Sequence, residues 1–133
     1  MSTNRSRPPG VIIPEIPYAN IQEAADWLCR AFGFKKRLQI GNHRFQLTLG
    51  DNSIVAIEGK DSNLSCSLLV LVDDVDNRYE QAKAMGAETI REPTDYPFGE
   101  RQCTVKDIGG HRWTFSQTIA DVDPTTWGGI LFE

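Results

Sequence analysis

The sequence predicts an α+β protein made of two tandem βαβββ modules. Three observations carry that prediction. An amphipathic helix with a polar cap and a glycine stop occurs twice, and each is preceded by one strand candidate and followed by three. The two caps, Asn20 and Asp74, lie 54 positions apart. The two stops, Gly33 and Gly86, lie 53 apart, so the helices have near-equal length, as an internal repeat requires.

In the first module Val11-Ile12-Ile13, with Ile16, reads as a strand. Asn20 caps the following helix and Glu23 can reach back as its capping-box partner. Ile21, Ala24, Ala25, Leu28 and Phe32 fall on one stripe, Gln22, Glu23, Asp26 and Arg30 lie outside it, and Gly33 supplies a left-handed stop. Strands are then expected at 34–40, 43–49 and 53–58, separated by the turns Gly41-Asn42 and Gly50-Asp51-Asn52. The second module repeats the order. A strand at 67–72 leads to a helix capped by Asp73 or Asp74, which runs through Val75, Tyr79, Ala82 and Met85 to Gly86; strands follow near 88–92, 101–106 and 111–117.

Residues 1–9 read as a disordered lead-in, 10–119 as the domain, with modules of about 10–60 and 65–118, and 120–133 as a tail. The tail carries Trp127 and Ile130-Leu131-Phe132, too apolar for free coil, and is expected to pack on a neighbouring surface or subunit.

Charge and composition exclude several classes of function. The chain has 14 Lys+Arg against 18 Asp+Glu, a net charge of −4, and its one basic run is Lys35-Lys36-Arg37, so no nucleic-acid partner is expected. That run reads as a solvated edge guard. The apolar stretch Leu68-Leu69-Val70-Leu71-Val72 is far shorter than the roughly 20 residues of a membrane-spanning helix. The first ten residues lack an apolar signal core, which points to a cytoplasmic protein. Cys29, Cys66 and Cys103 are odd in number and widely spaced, and read as buried small hydrophobes instead of a disulfide or metal framework. His43 and His111 fall at turns and read as polar turn residues.

The repeated module, Val72-Asp73-Asp74-Val75-Asp76 at the second helix and Asp107-Ile108-Gly109-Gly110-His111-Arg112-Trp113 before the last strand together resemble the vicinal oxygen chelate superfamily, which includes glyoxalases, bleomycin-resistance proteins and extradiol dioxygenases. Trp27 to Phe34, Pro97 to Arg101 and Trp113 to Gln117 are similar to its glyoxalase-like branch. The resemblance covers roughly residues 10–117 and implies a cupped mixed sheet with helices on its outer face and a ligand cleft in its concave side. It also implies four metal-ligand positions. These fall on Ile13, on Ala56 or Glu58, on Ser67 and on Thr114, so at best one ligand survives and neither a metal nor another cofactor is expected.

Strand alternation sorts the remaining side chains by face. With Ser67 and Thr114 in the cleft by their family positions, Leu69, Leu71, Arg112 and Ser116 join them. Phe45, Leu47 and Leu49 read as core, which leaves Arg44, Gln46 and Thr48 facing the cleft; Cys103 and Val105 read as core, which leaves Gln102 and Thr104. The expected ligand-binding set is Arg44, Gln46, Glu58, Ser67, Gln102, Thr104, Arg112 and Thr114, with Glu58 the sole candidate acid or base and Trp127 and Phe98 the aromatics free to stack. The leading expectation is a metal-free binder of a small organic ligand, acting as a homodimer. A glyoxalase-like lyase or dioxygenase with an atypical or absent metal site, and a non-catalytic interaction module, stand as alternatives.

Overall fold

A computed structural model of the chain describes residues 4–59 and 65–132; the start of the expected lead-in (1–3), the end of the first module (60) with residues 61–64, and Glu133 lie outside them. The described residues form two four-stranded mixed sheets with one helix each, the α+β pattern of two βαβββ modules. Two compact units result. Of the described residues, the first takes those up to Cys66 together with Asp107–His111, and the second takes Ser67–Lys106 and those from Arg112 onward.

In the first unit, β1 (Glu15–Tyr18), α1 (Ile21–Phe32), β2 (Lys35–Ile40), β3 (Arg44–Leu49) and β4 (Asn52–Glu58) give the sheet order β1-β4-β3-β2. The Asn20 side chain accepts the Glu23 backbone N–H at 3.0 Å, and Gly33 ends the helix at φ 81°, a left-handed angle that favours glycine. Ile21, Ala24, Leu28 and Phe32 are buried as the stripe requires, and α1 packs on β2, β3 and β4. Each large apolar side chain so buried contributes about 1.5–3 kcal/mol.

The first strand begins later than its apolar run suggests. Val11 and Ile12 are 85% and 89% exposed, and pairing starts at Pro14, whose carbonyl accepts the Val55 N–H at 2.9 Å. Proline has no N–H of its own, so Pro14 can enter the parallel ladder only as an acceptor. Of the expected lead-in, residues 4–7 are turned: the Ser6 N–H donates to Asn4 Oδ1 at 3.0 Å and the Arg7 N–H to the Asn4 carbonyl at 3.1 Å.

The second unit runs β5 (Ser67–Leu71), α2 (Val75–Ala84), β6 (Glu88–Asp95), β7 (Glu100–Lys106) and β8 (Arg112–Thr118), in the order β5-β8-β7-β6. Asp74, not Asp73, caps α2 by accepting the Asn77 N–H at 3.1 Å. Strand β6 extends three residues past the expected end, through two irregularities between Thr89 and Thr94. Trp113, Phe115, Cys103 and Val105 are buried on the sheet face that meets α2, which packs on β6, β7 and β8. The tail then crosses Gly99, whose carbonyl accepts the N–H groups of Ile119 and Ala120 at 2.8 and 3.2 Å. A 3-10 turn at Pro124–Trp127 sets Trp127 against Phe98, ring centres 5.5 Å apart, while Phe98 stacks on Tyr96 at 5.3 Å. The two aromatics expected to be free for a ligand therefore cover each other. No helix among the described residues is long and apolar enough to cross a membrane.

Candidate functional site

Residues directly opposite on paired strands share a face, so register decides which side chains can meet. In the first sheet Arg44 opposes Ile57, Gln46 opposes Val55, and Val55 opposes Glu15; these lie on the face away from α1. Phe45, Ala56 and Ile16 share the helix face. Glu58, two residues beyond Ala56, falls on that same helix side and opposes Tyr18. Register thus puts Glu58 on the opposite sheet face from Gln46 and Arg44, and Glu58 and Arg44 border one depression only at the strand end.

Glu58 instead stands at the end of β4 between two surface depressions. One, of about 450 Å³, is lined by His43, Arg44, Ile57, Glu58 and Gly59. The other, of about 380 Å³, is lined by Asn42, Glu58 and the start of α1 from Ala19 to Gln22. Arg44 is tied by Glu15 Oε2 at 2.6 Å, and because both side chains are about half exposed (40% and 50%) the pair contributes little stability. Gln46 is buried, with its amide oxygen accepting from Arg37 and its amide nitrogen donating to the Ser6 carbonyl at 2.9 Å.

The second sheet does gather its predicted residues. Ser67 opposes Arg112, Leu69 opposes Thr114, Leu71 opposes Ser116, and across the next pair Thr104 opposes Thr114 and Gln102 opposes Ser116. All lie on the face away from α2. The Thr104 and Thr114 hydroxyls are 2.8 Å apart; Gln102 Nε2 donates to Ser116 Oγ at 3.0 Å, and Ser116 Oγ donates to Glu100 Oε1 at 2.7 Å. Beside this network Leu69 and Leu71 are 63% and 76% exposed. One face therefore carries a bare apolar strip on β5 and an ordered polar strip on β7 and β8. Glu100 is the member that the sequence-based set lacks, although its alternation with Gln102 and Thr104 along β7 is the signal that finds it.

Cys103, on the opposite face of β7, has no access to this surface. Burial pushes its thiol up to about 11, so it stays protonated and inert at neutral pH.

His111 corrects another expectation. It is completely buried, not a polar turn residue: Nδ1 accepts the Cys66 N–H at 3.0 Å and Nε2 lies 2.7 Å from the Pro17 carbonyl. A carbonyl can only accept, so Nε2 carries the proton and the ring is the neutral tautomer. His43 remains exposed at its turn.

The residues at the inherited metal positions do not fit a metal centre. Ile13 has no donor atom, Ala56 is buried and carries only a methyl group, and Glu58 faces the α1 side. Ser67 and Thr114 offer neutral hydroxyls, that of Thr114 already paired with Thr104. Among the described residues no group of three or more His, Cys, Asp or Glu side chains is placed to hold an ion.

Comparison with known proteins accords with this architecture. The family model described as the Glyoxalase/Bleomycin resistance protein/Dioxygenase superfamily matches residues 12–115. TioX from Micromonospora sp. ML1 is similar in structure, with a TM-score of 0.72 and 28% identity over 82% of this chain and 98% of that one. TnmS3, an antibiotic binding protein from Streptomyces sp. CB03234, gives 0.70 and 24% over 82% and 95%. A bleomycin resistance determinant encoded on the transposon Tn5 gives 0.69 and 20% over 84% and 99%; these last two likenesses bear on the fold alone. No curated protein matches the chain. The match over residues 12–115, together with the paired βαβββ modules, places this chain in the Glyoxalase/Bleomycin resistance protein/Dioxygenase superfamily.

Proposed function

We propose that the protein binds a small organic ligand on the open face of its second sheet, without a metal ion and without a covalent step. The observation that carries this reading is the pairing on one surface of exposed Leu69 and Leu71 with the ordered polar groups of Thr104, Thr114, Gln102, Ser116 and Glu100. Apolar area beside a few fixed polar groups is what orients a flat ligand with a polar edge. Membership of a superfamily whose description includes bleomycin resistance proteins supports a binder of this kind, as does a fold shared with an antibiotic binding protein. Gln102 and Thr104 then read the ligand's polar edge, and Arg112 and Ser67 stand at the far end of the same face. The Ser116 hydroxyl that donates to Glu100 is buried and also accepts from Gln102, so it orders the network instead of attacking a ligand, and the reading is sequestration or recognition.

The test is a thermal-shift screen of chelator-stripped protein against small aromatic and polycyclic compounds, with and without added divalent metals. A compound at 100 times its dissociation constant adds about 2.7 kcal/mol of stability, several degrees in a domain of this size. The expected hit shifts the wild type and fails to shift Leu71→Glu, whose own midpoint is unchanged because the side chain is exposed. A one-equivalent metal response with no organic hit would replace this reading with the lyase or dioxygenase alternative. The proposal also takes the active form to be a homodimer. The support is the exposed run Ile130-Leu131-Phe132 (77%, 75% and 87%), for which a second copy is a cover; sedimentation equilibrium showing a monomer at micromolar concentration refutes it.

A further inference from the structure

The first sheet's open face holds a second ordered polar group, and part of the chain already occupies it. In β2 the register slips by one residue, Lys36 pairing with Leu47 and Leu38 with Gln46, so that Arg37 is the extra residue of a bulge. The bulge sets two residues, Arg37 and Leu38, against the one partner Gln46, and the alternation of successive side chains puts Lys36 and Arg37 on opposite faces. Lys36 accordingly meets Asp26 on the α1 side, while Arg37 reaches Gln46 on the opposite face. Because a guanidinium only donates, Arg37 takes the Gln46 amide oxygen and turns Gln46 Nε2 outward as a donor. Arg37 itself keeps a second N–H pointing the same way. These two donors hold consecutive carbonyls of one segment: Arg37 Nη2 bonds the Arg5 oxygen at 2.8 Å and Gln46 Nε2 the Ser6 oxygen at 2.9 Å. Residues 4–7 are exposed, so backbone oxygens and not apolar burial hold the segment in place. One row along the same face, buried Ser53 Oγ has no hydrogen-bond partner.

We propose that Arg37 and Gln46 form a carbonyl-reading subsite on the open face of the first sheet, whose resting occupant is the chain's own segment 4–7. The ligand it takes is of peptide character, with two carbonyl oxygens spaced as in consecutive peptide units. Such a ligand must displace the segment, which makes residues 4–7 a competitor built into the chain. The segment suits this: it is exposed and buries little area, the mark of a segment that opens locally. The subsite lies on a different sheet from the surface assigned above and does not depend on that assignment.

The experiment uses the full chain and two readouts. Trypsin cuts after Arg5, whose carbonyl Arg37 engages, whereas the bond between Arg7 and Pro8 resists it; mass spectrometry follows loss of residues 1–5. In Arg37→Ala the cleavage rate is expected to rise about tenfold, and in Asn4→Ala, which removes only an exposed turn bond, about threefold. Asn4→Ala keeps the test valid if Arg37→Ala fails to fold. In the second readout N-acetyl-dialanine amide is titrated while the Gln46 side-chain amide is watched by NMR. A saturable shift, tighter by about threefold in Asn4→Ala than in the wild type, is the expected result. Equal cleavage rates in wild type and both variants overturn the latch. A latch that responds while the Gln46 signal stays unmoved by the dipeptide overturns the ligand class.

Discussion

The Tyr18 hydroxyl donates a 2.5 Å hydrogen bond to Asp107 Oδ2, joining residues 89 positions apart in the core of the first unit. The other oxygen of Asp107 accepts the N–H groups of Gly109 and His111 at 2.9 and 3.0 Å, which closes the turn between β7 and β8. The Tyr18 and His111 rings meet edge to face, 4.9 Å between centres. A buried carboxylate so fully bonded is stable only while each donor is in place.

Tyr18→Phe keeps the ring and removes one donor from Asp107. A hydrogen bond to a charged group contributes roughly 1.5–3 kcal/mol, and the variant is expected to lose that much in urea denaturation at pH 7.

The same pair predicts an alkaline limit. Burial first, and then the Asp107 charge and hydrogen bond, raise the Tyr18 phenol far above its ordinary value. The fold holds the protonated form, so this contribution is complete below the ordinary tyrosine value of about 10 and is lost progressively as pH rises above it. Wild-type stability should fall more steeply between about pH 10 and 11.5 than that of Tyr18→Phe. Parallel slopes for the two proteins would show that Tyr18 stays exposed to solvent or unbonded.

His111→Ala removes a fully buried ring and the partner of the half-buried Cys66 N–H and Pro17 carbonyl. The cavity and the two lost hydrogen bonds together predict a loss of about 2–4 kcal/mol in urea denaturation. In the wild type, nitrogen NMR at neutral pH should show a protonated Nε2 and a bare Nδ1.

Gly99→Ala tests how the tail is seated. Gly99 has φ 88°, and a Cβ there would lie 2.3 Å from the Ala120 carbonyl oxygen, a backbone atom that cannot move aside cheaply. Destabilisation by about 2 kcal/mol or more is expected, with lower quenching protection of Trp127 as the tail lifts.

The three cysteines should separate by reactivity. Cys103 is fully buried with its thiol pushed up to about 11, whereas Cys29 and Cys66 are half-buried and raised less. Iodoacetamide at pH 8 should label Cys29 and Cys66 slowly in the native protein and Cys103 only in denaturant, as read by peptide mass spectrometry.

Elements whose signals are local are legible in the sequence. Asn20 and Gly33 bound α1 because a cap and a left-handed stop act within a few residues, and Asp74 does the same for the start of α2. The second-sheet face is legible too, since Gln102 and Thr104 alternate with buried Cys103 and Val105 along one strand. Glu58 is not, because face assignment passes from strand to strand only through register, and the register of β3 on β4 puts Ala56 and Glu58 opposite the Arg44 face.

The sequence by itself determined the repeated module, the span of its first helix and which strand positions are apolar. Each is a property of neighbouring residues or of single positions. Tertiary structure alone decided that His111 is a buried neutral hub, that Tyr18 meets Asp107, and that Arg37 and Gln46 hold the carbonyls of Arg5 and Ser6. Those outcomes depend on strand register and on contacts across tens of residues, where the chain carries no local signal and only the packed fold chooses among partners.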